Sequence, residues 1–593
     1  MLGQKMHAKT ALQAAAFALV LVLGPGRALA ATTYYVSATG SDTAAGTQAA
    51  PWASIAHAQS VVAAGDTVYF RGGTYAYSAG VNTCGGVQTA TVNAIVLNKS
   101  GSANNSINYF ASPGETPVFD FSGMKDDCRV KGFLVSGSYI HLKGLEVTGV
   151  PQNNNKNHES WGVWVSGSNN VFELLDTHHN MGPGLFIQNG GGNLVLNCDS
   201  HHNYDPMTSN GAGQSADGFG CHISAGGTGN VFRGCRAWMN SDDGYDLINA
   251  FEAVVIENSW SWQHGYLPGT TTAVAAGNGN GFKAGGYGDD PSTFPANAPK
   301  HTVRNCVAFA NKAAGFYANH HPVSGFFYNN TSYGNHPDFN MLGMNPSGAD
   351  ITVGVYRNNL AYTGTLLSNS TGADASNDSW DSSVTVSDAD FTGVSSVGMD
   401  GPRQADGSLP VLPFMHLAAG SDLIDKGKDV GLPFVGTAPD LGAFEYGATT
   451  PTGGGTGAAG ATNSGGAANS GGAMNSGGAN SGGATNSGGG VTVGAGGSVS
   501  NGGASAGGVS VGGVTSNAGA LNGTGGLTTG AGASSAAGST SRAGTGSDSS
   551  AGNDSAGCSC TLARRTGSSG TLSLLILLGL IRRRRPATRI SRR

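Results

Sequence analysis

The chain has 593 residues, 99 of them glycine, with 30 Lys and Arg against 36 Asp and Glu. The formal charge of −6 understates its acidity: residues 31–448 hold 17 of the basic and 34 of the acidic residues, or about −17. Such a body argues against nucleic acid as a partner, and a polyanionic substrate would need a cation in between.

Taken in chain order, residues 1–30 begin with Lys5 and Lys9, pass through A-L-V-L-V-L-G and end in A-L-A at Ala30. A basic start, a short apolar run and an A-x-A site predict a secretory signal peptide; the run is short for a membrane span. Export would place the body in an oxidising compartment, where Cys84 and Cys128, both in loop-like sequence, could be bridged. Cys198, Cys221, Cys235 and Cys306 are expected to act as small buried hydrophobes.

Residues 31–448 form the expected folded domain. Its central part repeats a short unit: N-V-F-E-L-L-D-T-H-H-N ending at Asn180, N-L-V-L-N-C-D-S-H-H-N at Asn203, N-V-F-R-G-C-R-A-W-M-N at Asn240, A-V-V-I-E-N-S-W-S-W-Q at Gln263, H-T-V-R-N-C-V-A-F-A-N at Asn311 and G-F-F-Y-N-N-T-S-Y-G-N at Asn335. Each unit has alternating apolar residues, a small or polar corner and a second short strand. Most end in an asparagine. A strand pattern repeating at 23 residues or more, without helical periodicity, predicts an all-β solenoid. We read a right-handed parallel β-helix of roughly eight to ten coils, with the closing asparagines stacked as an amide ladder. The paired histidines His178-His179 and His201-His202 recur one coil apart and fit turn packing better than metal binding, whereas His264 and His320-His321 match no motif.

After the closing position comes Gly and a large apolar or aromatic residue: P-G-L-F from Pro183, D-G-F-G from Asp217, D-G-Y-D from Asp243, N-G-F-K from Asn280 and A-G-F-Y from Ala314. With the glycines in register, Asp217 and Asp243 take one place on successive coils, ~4.8 Å apart. Asp242 and Asp246 share a coil with Asp243, and Lys283 takes the place of Asp246 on the next. Four carboxylates and a lysine therefore converge. A solvated turn accounts for one Asp-Gly pair but not for the aligned set. Hard oxygen donors in this number suit Ca²⁺ better than Mg²⁺, and no Cys/His spacing suits zinc.

Beyond the body, 449–557 collapses to Gly, Ala, Ser, Asn and Thr with N-S-G-G-A recurring, too apolar-poor to offset its ordering entropy, and is expected to be a disordered, flexible tether. Residues 558–593 carry Cys558, Cys560, an apolar run over 571–581 and four arginines at 582–585. This tail resembles the C-terminal sorting tails of myxobacterial exported proteins. The resemblance implies passage through a membrane, tail cleavage and retention at the cell surface.

The body resembles the pectate lyases of polysaccharide lyase family 9. The opening Y-Y-V-S-A-T-G-S-D at Tyr34, with G-D-T-V-Y-F-R-G-G-T-Y from Gly65, looks like the first strand and short capping helix of such β-helices. The segments A-D-G-F, N-S-D-D-G-Y-D and N-G-F-K look like the family's calcium and catalytic motifs. The resemblance covers about 32–447. It implies a monomeric enzyme that cleaves polygalacturonate by β-elimination, with Ca²⁺ on Asp217, Asp242, Asp243 and Asp246 and with Lys283 as the base. An alkaline optimum, lost with chelator, would follow. Three alternatives stay open: a polygalacturonase-like hydrolase, although no G-H-G or R-I-K segment is present; a lyase of another uronan; and a calcium-stiffened surface adhesin.

Overall fold

The computed structural model describes residues 31–78, 90–153, 158–209 and 211–448. Within them the chain winds as a right-handed parallel β-helix, its strands stacking into sheets of 12, 10 and 10 members in which each strand pairs with its equivalent on the coils before and after. The short capping helix Ile55–Val61 follows the first strand, Thr33–Val36. Ser54 starts it by accepting a hydrogen bond from the His57 amide at 3.1 Å. No helix among the described residues is long and apolar enough to cross a membrane. The tether and the tail lie outside them.

Alternation within each strand sets which side chains face inward. In the 12-stranded sheet Phe172, Val195, Phe232, Ile256, Val303, Phe327 and Tyr356 pair in register as one interior file. Fully burying such side chains is worth about 1.5–3 kcal/mol each. One of the ten-stranded sheets carries the Gly-aromatic motif, whose rings Phe219, Tyr245, Phe282, Phe316 and Phe339 stack inside at centroid spacings of 5.1, 4.8, 4.9 and 4.8 Å. The aromatic residue thus locks the register. The residue after it must then point outward, because neighbouring side chains on a strand face opposite ways.

The amide ladder exists. Asn180 Nδ2 donates to Asn203 Oδ1 at 3.1 Å, Asn203 to Asn240 at 2.9 Å, and Asn311 to Asn335 at 2.9 Å. The unit ending at Gln263 departs from our alignment by one residue: Arg236 pairs with Trp260, so Ser259 stands beside Cys235 and Asn258 takes the left-handed corner at φ 52°. His264, which matched no motif, fills the ladder position instead. Its Nδ1 accepts from the Asn240 amide at 3.2 Å and its own amide donates to Asn311 Oδ1 at 3.1 Å. A second ladder, unforeseen, runs at another corner through Asn170, Asn193 and Asn230. A third joins Asn330, Asn359 and Asp378.

The paired histidines stack as turn packing requires, His178 on His201 at 5.0 Å and His179 on His202 at 5.2 Å. Cys198, Cys221, Cys235 and Cys306 are buried free thiols. Cys128 is disulfide-bonded; Cys84 lies outside the described residues. Late residues including Phe391, Met399, Phe414, Leu417 and Leu441 pack on Trp238, Trp260, Trp262 and Phe309, covering the other ten-stranded sheet. Arg236 and Arg403 both bind Asp199 there, each at 2.6 Å. The sheet with the Gly-aromatic motif is not part of that cover.

Candidate active site

Reading outward along the motif sheet, the fourth motif position forms one file across the coils. Trp164 pairs with Phe186, Phe186 with Gly220, Gly220 with Asp246, Asp246 with Lys283, and Lys283 with Tyr317. The first position places Asp217 beside Asp243, whose main-chain amide donates to Asp217 Oδ1 at 3.1 Å. Asn280 follows on the next coil, donating to Asp243 Oδ1 from its amide at 2.7 Å and its side chain at 2.9 Å. Within the predicted set, register therefore brings Asp217 beside Asp243 and Asp246 beside Lys283 on successive coils.

The structure divides that set. Asp217, Asp242 and Asp243 form a trio whose carboxylate oxygens lie within 4.8 Å of one another. Asp246 stands beside them but outside the trio: its Oδ1 accepts from the Ile248 amide at 2.7 Å, and its Oδ2 faces Lys283 Nζ at 3.3 Å and His222 Nε2 at 3.7 Å. Lys283 Nζ is also 3.1 Å from Asp243 Oδ2, an atom that is buried and accepts no hydrogen bond. The four carboxylates and the lysine are at most 5 % exposed, so water screens them little.

Burial, followed by the neighbouring aspartates, pushes Asp217 and Asp242 well above the ordinary carboxylate range. Burial pushes Asp243 up as well, opposed by Lys283. Burial would raise Asp246 too, but Lys283 and then His222 outweigh it and hold that carboxyl down at about 2. For Lys283 burial favours the neutral amine, yet the four carboxylates together hold its ammonium well above the usual range. One lysine cannot neutralise four buried carboxylates. An all-oxygen trio, one of whose buried oxygens, Asp243 Oδ2, has Lys283 Nζ at 3.1 Å but accepts no hydrogen bond, fits a hard divalent cation.

Sequence reasoning missed His222, Arg129, Trp161, Trp164 and Phe186, which line the same cleft of about 310 Å³ as Asp217, Asp242, Asp246 and Lys283. Two of them were within reach. Phe186 occupies the same motif position as Asp246 and Lys283, and Trp164 continues that file one coil earlier. His222 carried no signal, since C-H-I-S repeats nowhere on the neighbouring coils.

Residues 34–359 match the Pel9A-like right-handed beta-helix region. Pectate lyase L of Dickeya chrysanthemi is 36% identical over 422 residues, covering 70% of this chain and 90% of that protein. Pectate lyase PEL9 of Emericella nidulans is 33% identical over 425 residues, covering 67% and 95%. Among solved structures, a rhamnogalacturonan lyase superposes with TM-score 0.60 at 38% identity, covering 65% of this chain and 97% of that one. The pectate lyase Pel9A superposes with TM-score 0.58 at 34% identity, covering 70% and 96%.

Proposed function

The chain belongs to the Pel9A-like right-handed β-helix family of pectate lyases, and on that premise we propose that it cleaves polygalacturonate by calcium-dependent β-elimination, with Lys283 as the base. The observation that carries the reading is Lys283 itself: a buried amine on the wall of an open cleft, 3.1 and 3.3 Å from two of four clustered carboxylates. Lysine is seldom buried without a partner and a purpose.

In the reaction the C5–H bond of a galacturonate unit breaks and its proton passes to Lys283 Nζ. The electron pair forms the C4–C5 double bond, the C4–O bond breaks, and the departing oxygen takes a proton from water. Asp217, Asp242, Asp243 and Asp246 would hold the calcium ion, which supplies positive charge against the substrate carboxylate where negative charge develops. The protein's part is to hold Nζ at a fixed place on the strand Phe282–Lys283 and to keep the amine able to accept a proton. The four carboxylates oppose that second task by holding the ammonium. Neutralising them relieves it. The reading therefore requires an alkaline optimum and dependence on the cation.

A second reading has its own support, the solved rhamnogalacturonan lyase at 38% identity: elimination on rhamnogalacturonan in place of polygalacturonate. The deciding experiment incubates the full chain with polygalacturonate or with rhamnogalacturonan at alkaline pH, with calcium or with chelator, and follows ultraviolet absorbance of the unsaturated product. A calcium-dependent rise on polygalacturonate supports the first reading, and a rise on rhamnogalacturonan alone the second. New reducing ends without absorbance would mean hydrolysis, and binding without either product an adhesin.

For location we propose export by 1–30 and display at the bacterial surface, monomeric, through the tether 449–557 and the tail 558–593, the chain's one contact with a membrane. Cell fractionation of the intact chain against one ending at 557 tests this. Equal release of both into the medium would refute retention by the tail.

A further inference from the structure

The cleft does not end at the aspartates. Three strand steps from Asp246 along the outward file, ~14 Å at the usual spacing, lies a group of rings and cations on the same sheet. Lys131 Nζ sits 3.7 Å from the centre of the Trp164 ring and 5.4 Å from that of Trp161. Arg129 Cζ sits 3.9 Å over Trp161 and also pairs with Glu159 at 2.5 Å. Trp164 stacks on Phe186 at 5.0 Å, and Phe186 meets His222 at 4.7 Å, which carries the wall down to the carboxylates. Gly220 keeps the intervening floor clear, since a Cβ there would come within 2.5 Å of the Phe186 ring.

Two details mark this end of the cleft as built to receive something. The indole Nε1 of Trp161 is buried, at 2 % residue exposure, without a hydrogen-bond partner, a donor that costs stability unless a ligand meets it. Lys131 is half-buried and, among the described residues, no carboxylate pairs with it, although the body holds twice as many acids as bases. Rings beside cations suit a sugar acid: C–H surface packs on the indoles, hydroxyls meet the Nε1 donor and the carboxylate meets the ammonium.

Resting on the reading of the cleft as a uronan site, we propose that Lys131, with Trp161 and Trp164, forms an anion subsite that binds a uronate unit a few sugars from the scissile bond. The polymer then runs along the solenoid axis, held by its carboxylates at both ends of the cleft. Burial, helped by Arg129, brings the Lys131 ammonium down to about 8, and an arriving carboxylate reverses that, so the subsite gains most where its ligand is charged.

The test compares the full chain with its Lys131→Gln and Lys131→Arg variants on tri- and hexagalacturonate in calcium buffer. Lys131→Gln should raise KM for the hexamer about tenfold with kcat kept within twofold, change KM for the trimer less than twofold, and be rescued by Lys131→Arg. An equal loss on both lengths, or none on the hexamer, would overturn the subsite. Calorimetric binding of hexagalacturonate in a Lys283→Ala background separates the two claims. A tenfold loss of affinity on adding Lys131→Gln, with no unsaturated product from the parent chain, upholds the subsite and sinks the lyase reading. Unchanged affinity with normal product does the reverse.

Discussion

Lys283 is a cation that burial would discharge and that four carboxylates keep charged, so its removal has two separable consequences. Lys283→Ala should lower kcat by about 10²–10⁴, the usual worth of a positioned base. It should also lower the melting temperature in chelator, because Asp243 and Asp246 lose the ammonium 3.1 and 3.3 Å from them, and breaking a buried pair this way costs about 3–5 kcal/mol. Calcium should restore the melting temperature but not the rate. A variant that melts like the parent in chelator would mean that the aspartates already carry protons there. The Asp and Lys positions were legible because they flank a repeated Gly and aromatic residue, Asp217 and Asp243 just before it and Asp246 and Lys283 just after it. His222 was not, since no histidine recurs at its place after the motif strand on the neighbouring coils.

The ladders are the elements that keep the coils in register, and two of them end in carboxyls. Asp338 Oδ1 accepts from Asn335 Nδ2 at 3.2 Å and Asp378 Oδ1 from Asn359 Nδ2 at 2.8 Å, while the second oxygen of each is buried without a hydrogen bond. Burial pushes Asp338 up to about 7 and Asp378 up to about 8, so the folded chain holds these protons more tightly than the unfolded chain. Their contribution to stability is therefore fully present below the ordinary value of 3.8 and is lost as pH rises through about 7 to 8. Asp338→Asn and Asp378→Asn, which keep the amide pattern without the charge, should raise the melting temperature at pH 9 and leave it little changed at pH 5. Equal shifts at both pH values would count against buried protons. Within the first ladder, His264→Asn should hold the melting temperature nearly constant and His264→Ala should lower it, because the buried Asn240 amide and Ala237 carbonyl would lose their side-chain partner at a cost of about 1–3 kcal/mol. The ladder was readable wherever Asn recurs. His264 was not, because a one-residue shift in the preceding corner is invisible until strands are paired.

At the scale of the molecule an acidic body meets an acidic polymer. Between about 10 and 150 mM salt, screening of that repulsion should raise kcat/KM on polygalacturonate, opposite to the behaviour of a basic enzyme on the same substrate. A fall would mean that the Lys131 end of the cleft, not net charge, governs encounter. Chelator should abolish elimination while leaving the far-ultraviolet circular dichroism of the solenoid in place, since strand pairing and the apolar interior files hold the coils together. Residues 31–448 alone should match the full chain in kcat, with only location changed.

By itself the sequence determined the period, and with it the solenoid, the inward aromatic file, the outward positions of Asp246 and Lys283 and the shared register place of Asp217 and Asp243. A residue next to a repeated inward position on a strand can face only outward. Tertiary structure alone decided how those groups share the cleft: three aspartates as a trio, Asp246 given to Lys283 and His222, and a ring-and-cation wall of Arg129, Trp161, Trp164 and Phe186 joined to them. The reason is physical. Strand stacking fixes spacing along the axis, but the direction of a charged side chain within a buried cleft is set by the balance of every neighbouring charge, and that balance exists only once the coils are stacked.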